Sequence, residues 1–321
     1  MIAHLPILQV IIPLMAAPIC LILKRAQLVW LFSLIVSGLA FSISILLLQQ
    51  VMTSGVISYE LGGWQAPWGI EYRIDKLNAF ILLIISAIST IVLFAAQTSI
   101  EKEIPKNKHT YFYVLYLLSL TGLLGIVATG DAFNVFVFLE ISSLSAYALI
   151  AMGKDRQALW ASYQYLIMGT IGATFILIGI GLMYQMTGTL NMQDLSQRLP
   201  EVAQTRTVLT AFSFVIVGVC LKLALFPLHL WLPNAYAYAP SIVTVFFAAS
   251  ATKVAIYLLI RFTFSVFGLS FSFTTIPLQT LFMALGLVGM FIASASAIYQ
   301  KNIKRLFAYS SIAQIGYMIV G

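Results

Sequence analysis

The run Val219-Cys220-Leu221-Lys222-Leu223-Ala224-Leu225-Phe226-Pro227 decides how the rest of this chain is read. Its lysine has apolar neighbours on both sides, inside an apolar stretch reaching from 207 to 232. A helix needs about 20 apolar residues to cross a hydrocarbon core, and this stretch is long enough. Pro227 offers no amide donor, and its ring collides with the preceding turn. The stretch therefore reads as a membrane helix that kinks or breaks at Pro227 beside a buried cation. Broken helices are tolerated at membrane depth where the freed backbone lines a cavity. A purely structural kink is the plainer alternative.

Outward from this run, the chain repeats the pattern. Ten apolar spans are expected, at 5–23, 28–50, 77–100, 111–130, 132–152, 158–186, 207–232, 241–262, 275–299 and 306–321. Of the 321 residues, 61% are hydrophobic and 8% charged. A soluble domain of this size has no interior large enough for so much apolar surface. The expected fold class is all-α, a polytopic transmembrane helical bundle of about ten helices. The first span has no basic leader, and Lys24-Arg25 stand where a small-residue cleavage site would lie, so it reads as a retained helix.

The net charge of +7 would suggest nucleic acid in a soluble protein. Here the basic residues sit in short loops, where they set topology and meet lipid headgroups, and no nucleic-acid partner is expected. With the N-terminus outside, the inner loops hold Lys24, Arg25, Lys102, Lys106, Lys108, Lys154, Arg156, Lys301, Lys304 and Arg305; the outer loops hold Arg73, Lys76, Arg198, Arg206 and Arg261. Ten against five favours that orientation. Two loops are long enough for local structure. Residues 51–76 suggest a surface hairpin turning around Gln65-Ala66-Pro67, and 187–206 a short amphipathic turn.

Two more ionisable residues lie deep in spans, Glu140 and Lys253. Each of the three is about 12 Å of helix or more from a span end. An unpaired charge at mid-membrane costs about 2.5–3.5 kcal/mol on insertion scales, so three of them need compensation. The simplest arrangement pairs Glu140 with one lysine and leaves the other in a hydrated cavity. A static ion pair would explain only two of the charges. Burial and a nearby carboxylate act oppositely on a lysine's hold on its proton, so changing their separation makes a proton relay. His229 follows the proline and can shuttle protons, although a lone histidine near a helix end is commonly a plain hydrogen-bonding residue. Ser142, Ser143, Thr244, Ser250 and Thr252 can hold water between the charges, or bond their own backbone. Asp131 is expected to cap the helix that follows it.

Absences narrow the chemistry. The sequence has no P-loop, no GxGxxG after a strand, no CxxC pair and no metal-ligand cluster. Cys20 and Cys220 read as small core residues, and only three histidines exist. No cofactor, metal site or redox centre is expected.

At this point a resemblance enters. Thr129-Gly130-Asp131-Ala132-Phe133-Asn134-Val135-Phe136-Val137-Phe138-Leu139-Glu140 resembles the TGDLFNLFVFFE segment of the D subunit of Mrp-type cation/proton antiporters. The run from Lys222 through Pro227, His229, Trp231, Leu232 and Pro233 to Ala235 is similar to the K-x-x-x-x-P-x-H-x-W-L-P-x-A segment shared with the antiporter-like subunits of complex I, the NADH:quinone oxidoreductase. Ala239-Pro240 through Lys253, Thr187 to Met192, and Lys304 to Ser311 also fit.

The resemblance implies two inverted five-helix repeats, each with a broken helix. It also implies a pairing of Glu140 with Lys222, a path continuing through Lys253, and a part for His229. On this basis 1–110 holds the N-terminal helices and outer hairpin, 111–262 a complete proton-translocating repeat, and 263–321 the start of a truncated second one. The family has about fourteen helices, so the second broken helix and its ionisable residue are expected to be missing. Asn234, where complex I relatives often carry an acid, and the Thr-Gly-Asp-x-Phe-Asn run lean toward the Mrp-like branch; Ala132 departs from the usual leucine.

Three functions are implied. The first is a membrane subunit of a multisubunit monovalent cation (sodium)/proton antiporter. The second is a proton-pumping membrane subunit of a redox complex such as a NADH:quinone oxidoreductase or membrane-bound hydrogenase. The third is a truncated, non-conducting fragment. The partners implied are other membrane subunits, protons, monovalent cations and the lipid of a bacterial plasma membrane. With no redox centre of its own, the chain would act as a translocase only within a redox complex.

Overall fold

The structure, a computed structural model, describes residues 2–23 and 25–321; Lys24, counted above among the inner basic residues, lies outside them. Helix α1 (Leu5–Ile22) is followed by α2 (Ala26–Ser54), a hairpin of β1 (Ile57–Glu60) and β2 (Glu71–Ile74), and α3 (Lys76–Glu103). Next come α4 (His109–Ala128), α5 (Ala132–Ala151), α6 (Gln157–Thr187), α7 (Met192–Val202) and α8 (Arg206–Leu223). The last five are α9 (Trp231–Tyr238), α10 (Ser241–Ala249), α11 (Ala251–Ile260), α12 (Leu278–Ile298) and α13 (Ile303–Val320). The fold is a polytopic helical bundle, as the composition requires.

Among the described residues nine helical segments, not ten, are long and apolar enough to cross a membrane, with α10 and α11 counted together as Ser241–Val266. The tenth expected span, 306–321, does form as α13 against α12. It starts earlier than expected and takes in Lys304 and Arg305, which dilute its apolar character. The loop at 51–76 is the hairpin expected, with antiparallel register Ile57↔Ile74 through Glu60↔Glu71. The turn expected in 187–206 is the eleven-residue helix α7, capped by Asn191.

The hairpin marks one side of the bundle. His4 meets Tyr59 at 2.9 Å, so the N-terminus lies on that side. Glu71, buried, accepts from Ser58 at 2.7 Å and from Asn191 at 2.8 Å, and the Glu71 carbonyl accepts from the Gly130 amide at 2.8 Å. The hairpin is thereby pinned to the α4–α5 and α6–α7 joins. Asp131 caps α5 as expected, accepting from the Asn134 amide at 2.7 Å.

The first four helices are stitched by buried hydroxyls, because lipid gives apolar faces no drive to associate and small polar contacts do the work instead. Gln9 of α1 donates to Ser44 of α2 at 2.7 Å, and Ser86 of α3 donates to the same hydroxyl at 2.9 Å. Ser37 of α2 donates to Ser89 of α3 at 2.9 Å, and Tyr116 of α4 to Ser89 at 3.2 Å. Ser44→Ala removes the shared hydroxyl and strands the Gln9 amide. It should destabilise the bundle by about 1 kcal/mol, read as a lower thermal midpoint in detergent.

Candidate functional site

The break in the 207–232 stretch falls four residues before Pro227. Proline's ring clashes with the carbonyl four residues earlier, which here belongs to Leu223, the last residue of α8. Ala224 then takes a left-handed conformation (φ 60°), with its amide turned back on Cys220 and Leu221. The chain resumes as α9 at Trp231, whose indole N–H donates to the Leu221 carbonyl at 3.1 Å. That bond gives the Leu221 carbonyl, already turned toward the Ala224 amide, a second donor at the break. Trp231 stacks on Tyr165 of α6 (4.2 Å, 7°), which meets Tyr147 of α5 edge-on (4.7 Å).

Lys222 is the penultimate residue of α8, where the helix dipole favours a cation. Its ammonium donates to the Ser143 hydroxyl of α5 at 2.8 Å. Ser143 lies one turn from Glu140, at the i, i+3 spacing that places two side chains on one face. The resemblance implies a pairing of Glu140 with Lys222. In the structure the ammonium goes to Ser143, and neither Glu140 nor Lys222 takes part in any of the three salt bridges among the described residues. One Glu140 carboxylate oxygen is buried without a hydrogen-bond partner in the protein.

Lys253 sits at a second break, which the sequence reading missed by treating 241–262 as continuous. Helix α10 ends at Ala249 and α11 begins at Ala251. The Lys253 ammonium donates to the Ala248 carbonyl at 2.7 Å and reaches the Thr252 hydroxyl at 3.4 Å, while Ser250 donates to the Phe246 carbonyl. Side-chain donors thus supplement the backbone bonds at the kink. Lys222 thus sits at the carbonyl end of α8, and the Lys253 ammonium, from the first turn of α11, reaches the carbonyl end of α10. The faint signal in the sequence was a lysine flanked by Ser250 and Thr252, small hydroxylated residues able to divert backbone bonds.

The other expected site residues divide. Ser143 touches a charge directly. Thr244 bonds the Tyr236 carbonyl at 2.8 Å, Ser142 is buried where α4 and α5 touch, and Thr252 bonds the Ala248 carbonyl at 3.4 Å. His229 is buried, stacks on Phe226 (5.3 Å) and faces Tyr309 edge-on (6.5 Å). Its Nδ1 has no partner, and its ring makes no hydrogen bond to Glu140, Lys222 or Lys253. Pro227 is exposed at the break.

Polar groups also close both ends of the bundle. On the side away from the hairpin, Asn234 of α9 donates to Gln164 of α6 at 2.9 Å and accepts from Arg305 of α13 at 2.5 Å. Lys304 donates to the Ala239 carbonyl at 3.0 Å. On the hairpin side, Arg261 pairs with Asp75 at 2.7 Å. Burial works against the charge of Asp75, but bonds from the Arg261 guanidinium and the Asn78 amide outweigh it and hold the carboxyl below its ordinary range. Desolvation has the upper hand at Asp131 and raises its carboxyl.

Three comparisons bear on this arrangement. The N subunit of the NADH-quinone oxidoreductase of Desulforudis audaxviator is 40% identical over 327 residues, covering 100% of this chain and 64% of that protein. The D subunit of the Na(+)/H(+) antiporter of Alkalihalophilus pseudofirmus is 32% identical, covering 99% of this chain and 63% of that one. A chain of the membrane-bound sulfane sulfur reductase, an archaeal respiratory membrane complex, superposes with a TM-score of 0.88 at 34% identity, covering 99% of this chain and 64% of that one. The chain thus spans somewhat under two thirds of the length of these relatives. Residues 129–321, which carry Glu140, both lysines and both helix breaks, match the family described as NADH:quinone oxidoreductase/Mrp antiporter, TM, and the chain belongs to that family.

Proposed function

We propose that this chain is a proton-carrying membrane subunit of a multisubunit monovalent cation/proton antiporter, with sodium as the exchanged cation. The observation that carries the reading is the Lys222 ammonium, held by Ser143 at 2.8 Å at a helix break, one turn from Glu140. A carboxylate and an amine so placed can hand a proton between them, because a small movement of α5 against α8 changes how strongly the carboxylate holds the ammonium. Lys253, at the second break, is the next carrier. His229, beside the first break, is a further candidate, and Thr244, Ser250 and Thr252 are candidates for holding water, although their hydroxyls bond backbone carbonyls here.

The same reading divides the chain into 1–110, a proton-translocating unit at 111–262, and 263–321. It places the chain in a bacterial plasma membrane with the hairpin side outward. Among the described residues the opposite side carries Arg25, Lys102, Lys106, Lys108, Lys154, Arg156, Lys301, Lys304 and Arg305, a basic excess that marks a cytoplasmic face.

A second reading, a proton-pumping subunit of a redox-driven complex, is favoured by the 40% identity to a NADH-quinone oxidoreductase subunit and by the reductase superposition. Purification from the native membrane, with mass spectrometry of every co-purifying subunit, separates the two. Small hydrophobic subunits alone are expected for the antiporter. Flavin or iron–sulfur subunits would replace it with the redox pump.

A further inference from the structure

We propose that the Asp75–Arg261 ion pair is a seal that closes the hairpin side of the proton path below Lys253. The inference rests on Lys253 carrying protons, as in the reading above. Lys253, Tyr257 and Arg261 follow one another at i, i+4 and i+8, so one face of α11, continued by Arg261 at its C-cap, runs from the mid-membrane lysine to the hairpin side. Tyr257 is the only hydroxyl in that series, and both of its bonds are taken. It donates to the Val127 carbonyl at 3.2 Å and accepts from Arg261 Nε at 3.1 Å. Arg261 is held in turn by Asp75 Oδ2 at 2.7 Å, while Asp75 Oδ1 accepts from the Asn78 amide at 3.0 Å. Asn78 closes the ring by donating to the same Val127 carbonyl at 3.1 Å. Helices α3, α4 and α11 are thus locked together at this end.

Beyond the lock lies a cavity of about 50 Å³ whose lining includes Arg73, Asn78, Gln193, Ser196, Tyr257 and Arg261. Its polar walls and size suit water; Tyr257 and Arg261 are two of those walls, and Tyr257 lies one helical turn from Lys253. A fixed guanidinium repels a passing proton, as in pores that exclude protons with an arginine. While Asp75 holds Arg261 in place, the Tyr257 hydroxyl has no free bond to offer a proton from Lys253. Without that carboxylate charge, Arg261 is free to turn into the cavity and the hydroxyl is released. Asp75 and Arg261 are positioning residues in this account, and Tyr257 is the link they hold shut.

The test is passive proton conductance of the assembled complex in proteoliposomes under an imposed pH gradient. Asp75→Asn keeps the acceptor that caps α3 and removes only the charge. It should raise the leak about tenfold, the loss expected when one charge-assisted hydrogen bond no longer holds a barrier. Adding Tyr257→Phe should bring the leak back to the parent value, which a merely loosened bundle would not do. If Asp75→Asn does not accumulate, Asp75→Ser also removes the charge while keeping a capping acceptor, and the same leak is expected. A leak at the parent level in these variants, or one that Tyr257→Phe leaves unchanged, overturns the seal. Glu140→Gln measured alongside keeps the two claims apart. If it stops coupled exchange while Asp75→Asn stays tight, the seal alone fails; if exchange survives Glu140→Gln, the carrier reading fails first.

Discussion

Glu140→Gln is expected to lower proton-coupled cation exchange by about a hundredfold or more, since a positioned proton-transfer group contributes at least that much. The substitution keeps the shape of the side chain and removes its capacity to take up and release a proton. The carboxylate lies in a span, has one buried oxygen without a partner, and stands one turn from the hydroxyl that receives Lys222. The measurement is sodium- or potassium-driven pH change in vesicles, with the amount of assembled complex matched by immunoblot. Exchange at the parent rate would remove Glu140 from the path.

The second large effect is expected from a residue with no side chain. Helices α6 and α8 cross at Gly172 and Gly218, backbone against backbone. A Cβ on Gly218 would lie 2.6 Å from the Gly172 carbonyl oxygen and 3.0 Å from the Ile176 amide nitrogen. Neither backbone atom can give way, so Gly218→Val must push the helices apart. Lys222 is one turn further along α8, and a Cβ on Gly172 would already stand 3.7 Å from its Cγ. Displacement of a transfer group by about 1 Å costs about a hundredfold in rate, and overpacking of this kind costs about 1–3 kcal/mol of stability. Exchange should fall on that scale, with a lower thermal midpoint. Gly181 of α6 has nothing within 4 Å of the corresponding position, and Gly181→Val should leave exchange unchanged. Equal effects at the two positions would mean that the crossing does not set the place of Lys222.

Much of this arrangement was legible before the fold was known, because lipid leaves so few options for a buried charge. Glu140, Lys222 and Lys253 stood out as ionisable residues in apolar runs, and Pro227 signalled a break. Asp131 was legible as a cap because capping is local. The end of α8 at Leu223 rather than at the proline follows from the reach of the proline ring, a detail that periodicity alone does not display.

What stayed hidden was mostly long-range. The break at Ser250 has no proline to mark it and depends on where the Lys253 ammonium goes. The Asp75–Arg261 pair joins residues 186 positions apart, and nothing local to either predicts the other. Asn234, in sequence a mere departure from relatives, bridges Gln164 and Arg305 in the fold. The pairing of Glu140 with Lys222, implied by resemblance, is not among the salt bridges of the described residues, and the Lys222 ammonium instead donates to the Ser143 hydroxyl, one turn from Glu140. In sequence that hydroxyl is one of several able to hold water, and only packing of α5 against α8 distinguishes it from them.

The central claim is that Lys222 works by losing and regaining a proton, and Lys222→Arg tests it most directly. Arginine keeps the positive charge and can still donate to Ser143, but it does not release its proton in a protein. With the assembled complex in proteoliposomes, the account predicts proton flux no higher than in empty vesicles for Lys222→Arg. Flux at the parent level would contradict it, and would leave Lys222 as a fixed charge that orients helices.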